Sequence, residues 1–153
     1  MGYIPHIISR GYGGSTTVDE VIKVKPHMDF NFVGDEALMM SNYFPTWVSK
    51  NKFHAMISAK EDGANILVLD DALQSYNVYK NISIYVYDSI QSFGNRLLVP
   101  SGPLRESVKN AIRKSQIFFL INTEVCNDLN DNHFKHILKY KIEILSLIHI
   151  SEP

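Results

Sequence analysis

Cysteine is nearly absent from this chain of 153 residues: Cys126 is the only one. No intrachain disulfide can form, and a reducing, cytoplasmic setting is the expectation. Long apolar runs are missing too. None approaches the roughly 18 to 20 residues that a membrane-spanning helix needs, and no charged segment followed by an apolar one marks Met1 as the start of a signal peptide. Net charge is almost nil, −1 at pH 7, so there is no basic surplus of the kind a nucleic-acid partner demands, and none is expected. The six histidines add only a slight pH sensitivity to that balance. What remains is ordinary: 45% hydrophobic and 20% charged residues, enough for a packed core and against intrinsic disorder.

Short apolar runs alternate with helix-like stretches, the mark of an α/β domain built on a mainly parallel sheet. Ile4 to Ile8 reads as a first strand closed by a glycine-rich turn, Arg10-Gly11-Tyr12-Gly13-Gly14. A helix is expected from about Gly34 to before Pro45, with Leu38, Met39 and Phe44 as core contacts. Thr46 to Ser49 reads as a strand and Phe53 to Ala59 as a short helix. The continuous apolar run Ile66 to Leu69 predicts a central strand buried on both faces. Ile82 to Tyr87 and Ile117 to Ile121 predict two more strands. Between them Pro103 to Ser115 predicts a helix with its proline in the first turn, and a last helix is expected from about Asp131 to Ile144. One domain over 1–144 is the expectation. Residues 145–153 resemble the translation of a transposon end used in preparing sequencing libraries, and are read as a non-native tail.

Four segments carry groups that could do chemistry. Asp70-Asp71 directly follows the apolar strand, where open α/β sheets place their ligands and where a carboxylate can help to hold Mg²⁺ beside phosphates. A solvated turn is the plainer reading. Asp35 and Glu36 open a helix. Aspartate there serves as an N-cap, or as the group that aligns a hydroxyl nucleophile. Arg10, Gly11, Tyr12 and Gly13 form a turn whose glycines permit positive φ and close approach to an anion, with Arg10 as a clamp for phosphate. No Gly-Lys-Ser or Gly-Lys-Thr occurs, so this is not a Walker A loop. Arg105 and Glu106 follow Ser101-Gly102-Pro103-Leu104, again a helix start or a phosphate contact. Arg105, Lys109 and Arg113 would share a helical face, solvated or facing anionic lipid headgroups. His133 and His136 lie three apart on the expected last helix and, with no third ligand, read as surface histidines.

In order, Ile8-Ser9-Arg10-Gly11-Tyr12-Gly13, Val33-Gly34-Asp35-Glu36, Leu69-Asp70-Asp71-Ala72-Leu73-Gln74 and Pro100-Ser101-Gly102-Pro103-Leu104-Arg105-Glu106 resemble the successive signatures of the tetraacyldisaccharide 4'-kinases, over a stretch from Tyr3 to about Glu124. The resemblance implies a P-loop kinase fold lacking its P-loop strand and C-terminal part, ATP and Mg²⁺ as cofactors, and phosphorylation of the 4'-hydroxyl of a lipid disaccharide at the cytoplasmic face of the inner membrane. It further implies that Asp35 activates the hydroxyl with Glu36 beside it, that Asp70 and Asp71 are metal carboxylates, and that Arg10 and Arg105 line the site. The P-loop would lie upstream of Met1, leaving the fragment inactive by itself. Ala72 and Ser75 stand where the family carries Gly and His, a departure that bears on the turn and not on the carboxylates. The competing readings are a receiver-like module, whose acidic pair normally follows the first strand, and a small-ligand-binding module without catalysis.

Overall fold

A computed structural model of the chain describes residues 2–17, 20–88, 93–121 and, as backbone, 136–140. Two compact units divide at Tyr79 and Lys80.

The first unit holds β1 (Pro5–Ser9), β2 (Ile22–Lys23), α1 (Phe30–Val33), α2 (Asp35–Ser41), β3 (Thr46–Val48), α3 (Lys52–Glu61) and β4 (Ile66–Leu69). The strand order is β2-β3-β1-β4. β1 runs parallel to β3 and β4, and only β2 is antiparallel. Side chains alternate across the strands, which gives the sheet two packed faces. On one, Ile8 and Trp47 meet Ala55 and Ala59 of α3, whose small side chains one turn apart let the helix lie close. On the other, Ile22 and Val48 meet Val33 and Ala37 of α1 and α2. Ile8, Val33 and Val48 are fully buried, each contributing about 1.5–3 kcal/mol relative to exposure. Below Trp47, the buried His6 accepts the indole N–H at Nδ1 over 3.1 Å, so its N–H sits on Nε2.

The second unit holds β5 (Ile84–Asp88), α4 (Val108–Lys114), β6 (Ile117–Ile121) and β7 (His136–Tyr140). Among the described residues its strands are parallel, in the order β5-β6-β7. Tyr85 stacks on Phe118 with centroids 5.1 Å apart, and Tyr87 tilts against Phe93 at 4.7 Å. Gln116 exchanges hydrogen bonds with the Ser83 backbone, 2.7 Å through its side chain and 2.9 Å through its amide, aligning the starts of β5 and β6.

The α/β class and the mainly parallel pairing are as expected from the sequence. Several elements differ. β4 is not central: among the described strands it lies at an edge, and Ile66 and Val68 are 37% and 49% exposed. The inner strands are β3 and β1. Met39 and Phe44 are exposed, and of the three expected contacts only Leu38 packs against the core, because α2 turns just Ala37 fully inward. The helix after Pro103 starts at Val108 instead, where the Ser107 side chain accepts from the Asn110 amide. Pro100, Gly102 and Pro103 hold the preceding stretch in turns, with Leu98 bridging to Leu104. Arg105 is therefore not on α4, and the expected basic face is reduced to Lys109 and Arg113. Within the expected last helix, 136–140 is a strand paired to β6, since an available parallel edge outweighs local helical preference. His136 lies in that strand. His133, Cys126 and the tail 145–153 are outside the described residues.

Candidate functional site

The parallel pairing of β1 and β4 places Ile8 beside Leu69, so the residues that follow each strand emerge together at their carboxyl ends. Asp70 donates its amide to Ile8 O at 2.9 Å. The buried Ser9 hydroxyl donates to Asp70 Oδ2, also at 2.9 Å, and accepts a longer bond of 3.4 Å from the Gly11 amide. One hydroxyl thus ties the half-buried carboxylate to the first glycine of the turn. Asp71 is exposed and sits at φ 43°, a left-handed conformation that aspartate tolerates better than most residues.

Glycine is needed in the loop for two separate reasons. Gly11 and Gly13 have φ of 64° and 80°, and the Gly14 amide closes the turn onto Gly11 O at 3.0 Å. Close approach is the second reason. A Cβ on Gly11 would run into the Val48 side chain and stand 2.8 Å from Val33 O, and one on Gly34 would stand 2.6 Å from Tyr12 O. The glycine loop therefore lies directly on the turn between α1 and α2. That packing sets Asp35 beside the loop. Gly34, at φ 88°, is the N-cap of α2, and Asp35 is its first helical residue, not the cap. The Asp35 carboxylate accepts from the Glu36 amide at 2.9 Å, and both acidic side chains are exposed.

Eight of the ten predicted site residues accordingly fall in the first unit: Arg10, Gly11, Tyr12 and Gly13 in the loop, Asp35 and Glu36 at the start of α2, Asp70 and Asp71 after β4. Arg10 is exposed, and Tyr12 is 87% exposed, its ring outside the core. Arg105 and Glu106 belong to the second unit. Arg105 is exposed, while Glu106 forms a 2.6 Å ion pair with Lys114. Burial, with the Glu106 charge as a lesser cause, pushes the Tyr85 phenol above its usual range.

Two residues of this site escape a reading of the sequence. Ser9 ends an apolar strand without looking like a functional group, although its place level with Asp70 follows once the two strands are paired. Lys52 opens α3, and a lysine in a first helical turn reads as solvated. Here it is 4% exposed, and its Nζ donates to the Asp70 backbone carbonyl. Asn51 caps the same helix, its side chain accepting from the Phe53 amide at 3.2 Å.

Asp70, Asp71 and Ser9 offer only oxygen donors, the set preferred by a hard cation. Among the described residues no three His, Cys, Asp or Glu side chains cluster to hold a metal by themselves. The arrangement suits Mg²⁺, which keeps waters and takes phosphate oxygens beside one or two carboxylates. Among the described residues no helix is long and apolar enough to cross a membrane.

Known proteins resemble the chain in sequence and in fold. It is 34% identical over 123 residues to a tetraacyldisaccharide 4'-kinase from Paramagnetospirillum magneticum, covering 80% of this chain and 38% of that protein. It is 37% identical over 119 residues to the enzyme of the same name from a Jannaschia species, covering 78% and 36%. The chain thus spans a little over a third of the length of these relatives. The crystal structure of LpxK from Aquifex aeolicus in complex with ATP superposes with a TM-score of 0.71 at 21% identity, covering 90% of this chain and 44% of that one, which agrees with the expected kinase fold. The family model for LpxK, tetraacyldisaccharide-1-P 4'-kinase, matches residues 1–150, and the chain belongs to that family.

Proposed function

We propose that the protein to which this chain belongs transfers the γ-phosphoryl group of ATP to the 4'-hydroxyl of a tetraacyldisaccharide 1-phosphate, in the assembly of lipid A. The observation that supports it is the convergence of the glycine loop, the start of α2 and the Asp70 carboxylate at the ends of β1 and β4, in a chain of this family.

In this reading Asp35 aligns the acceptor hydroxyl. It is exposed at the head of α2, and its bond to the Glu36 amide fixes the carboxylate without burying it. Phosphoryl transfer passes through a loose transition state that asks more for positioning than for strong proton abstraction. Glu36 adds negative charge beside it. Asp70 and Asp71 hold Mg²⁺, which when bound neutralises charge on the phosphates. Ser9 keeps Asp70 aimed toward the glycine loop. Arg10 contributes a bidentate donor for phosphate oxygens, and the backbone of Gly11, Tyr12 and Gly13 leaves room for an anion to approach. Arg105 and Glu106 are assigned to contacts with the substrate. The acceptor is a lipid disaccharide, so the working surface is the cytoplasmic face of the inner membrane. Residues 1–153 alone are expected to be inactive, because the sequence contains no Walker A lysine.

The test is incubation of the full-length gene product with a tetraacyldisaccharide 1-phosphate and Mg-ATP, with the product analysed for a new 4'-phosphate. Absence of Mg-ATP-dependent product from folded full-length protein would overturn the assignment, and turnover by residues 1–153 alone would overturn the expected inactivity.

A further inference from the structure

We propose that Lys52 is a positioning residue for the Asp70–Asp71 turn, holding the peptide between the two carboxylates in the orientation that metal binding requires. The inference rests on the kinase reading given above. Removing an ammonium from water is costly unless it finds strong acceptors, yet Lys52 is 4% exposed in the first turn of α3, a place where its side chain would ordinarily reach solvent. Its Nζ instead donates to the Asp70 carbonyl oxygen.

That carbonyl belongs to the same rigid peptide as the Asp71 amide. Rotation of this plane about the bond from the Asp71 nitrogen to its Cα is the φ angle of Asp71, which stands at 43°. A non-glycine residue gives up energy to sit there, and such a conformation persists where surrounding contacts over-determine it. Three contacts hold the Asp70 end of this turn: Lys52 Nζ on the Asp70 carbonyl, the Ser9 hydroxyl on Asp70 Oδ2 at 2.9 Å, and Ile8 O on the Asp70 amide at 2.9 Å. The last two secure Asp70 alone. Lys52 is the one of these three that acts on the peptide leading into Asp71, and so governs where the second carboxylate points relative to the first. Loss of that donor removes a restraint on the peptide plane, and the Asp71 carboxylate then shifts relative to that of Asp70.

The experiment compares Lys52→Met and Lys52→Arg with wild type in the full-length protein, together with Asp70→Asn and Asp71→Asn. Three quantities are read: the apparent Mg²⁺ constant of turnover, the affinity for Mn²⁺ in the presence of a non-hydrolysable ATP analogue by electron paramagnetic resonance, and Tm. Lys52→Met is expected to raise the Mg²⁺ constant and weaken Mn²⁺ binding about tenfold, matching a rotated carboxylate. Lys52→Arg, which keeps a charged donor, is expected to stay within about threefold of wild type. A folded Lys52→Met protein with unchanged metal constants overturns the proposal even if Tm falls, since the lysine is then only structural. An arginine variant no better than methionine overturns it too. Should Lys52→Met fail to fold, Lys52→Gln, with its donor on a shorter stem, takes its place with the same expected rise. If neither aspartate variant changes metal dependence, the kinase reading of the acidic pair fails instead, and the two failures are told apart.

Discussion

Ser9 Oγ donates to Asp70 Oδ2 at 2.9 Å, joining residues 61 positions apart at the ends of two parallel strands. The bond couples the glycine loop to the acidic pair, because the same hydroxyl accepts from the Gly11 amide. A hydrogen bond to a charged acceptor contributes about 1.5–3 kcal/mol, and partial exposure of Asp70 reduces that. Ser9→Ala is expected to cost about 1 kcal/mol in urea denaturation, and in the full-length protein to lower turnover at limiting Mg²⁺ more than at saturating Mg²⁺. Equal losses at both concentrations would separate Ser9 from the metal site.

Gly11 and Gly13 make a contrasting pair. Both have positive φ, but a Cβ on Gly13 meets nothing within 4 Å, whereas one on Gly11 strikes Val48 and Val33. Gly13→Ala is expected to cost about 1 kcal/mol, the conformational penalty alone. Gly11→Ala adds overpacking of about 1–3 kcal/mol. Chemical denaturation of the two variants checks the order, and similar losses would mean that the loop does not press on the turn before α2.

Asp35 separates capping from chemistry. Since Gly34 occupies the N-cap, Asp35 contributes to α2 chiefly through the helix dipole, worth about 0.3–1 kcal/mol. Asp35→Ala in the full-length protein is expected to leave Tm nearly unchanged, leave nucleotide affinity near wild type and reduce kcat by about two orders of magnitude or more, the usual scale for a positioned acid–base group. Near-normal kcat would remove Asp35 from the mechanism.

Tyr85 gives the second unit an alkaline limit. Burial, and secondarily the Glu106 charge, raise its pKa above the usual 10. The unfolded chain therefore loses its phenolic proton at a lower pH than the folded one. Stability from this group is fully present below about pH 10 and declines as pH rises from there through the folded pKa. Tyr85→Phe, which keeps the stacking on Phe118, should make denaturation midpoints fall less steeply above pH 10. An unchanged slope would place the alkaline sensitivity elsewhere.

Much of this was legible in the residues alone. Ile66 to Leu69 and Ile117 to Ile121 have in the structure the boundaries that the sequence predicts, because short apolar runs between turn residues are a local signal. The glycine loop, Asp35 and Asp70 were recognisable as an ordered set of motifs. One misreading arises where distant contacts outweigh local preference. The segment 131–144 reads as helical, yet 136–140 pairs with β6 as a strand. Another misreading is local: Pro103 reads as a first helical turn, and the helix waits for the Ser107 cap.

The amino-acid order by itself determined the family, the α/β class, and which oxygen and guanidinium groups the chain carries near its strand ends, since each depends on residue identity and short-range spacing. Tertiary structure decided that β3 and β1, and not β4, are the inner strands of the first unit, that Gly11 and Gly34 press loop against turn, and that Ser9 and Lys52 converge on Asp70. Hydrophobic periodicity marks which residues leave water. It carries no record of which strand edge they will meet, and a buried lysine looks like an exposed one until the carbonyl that receives it is in place.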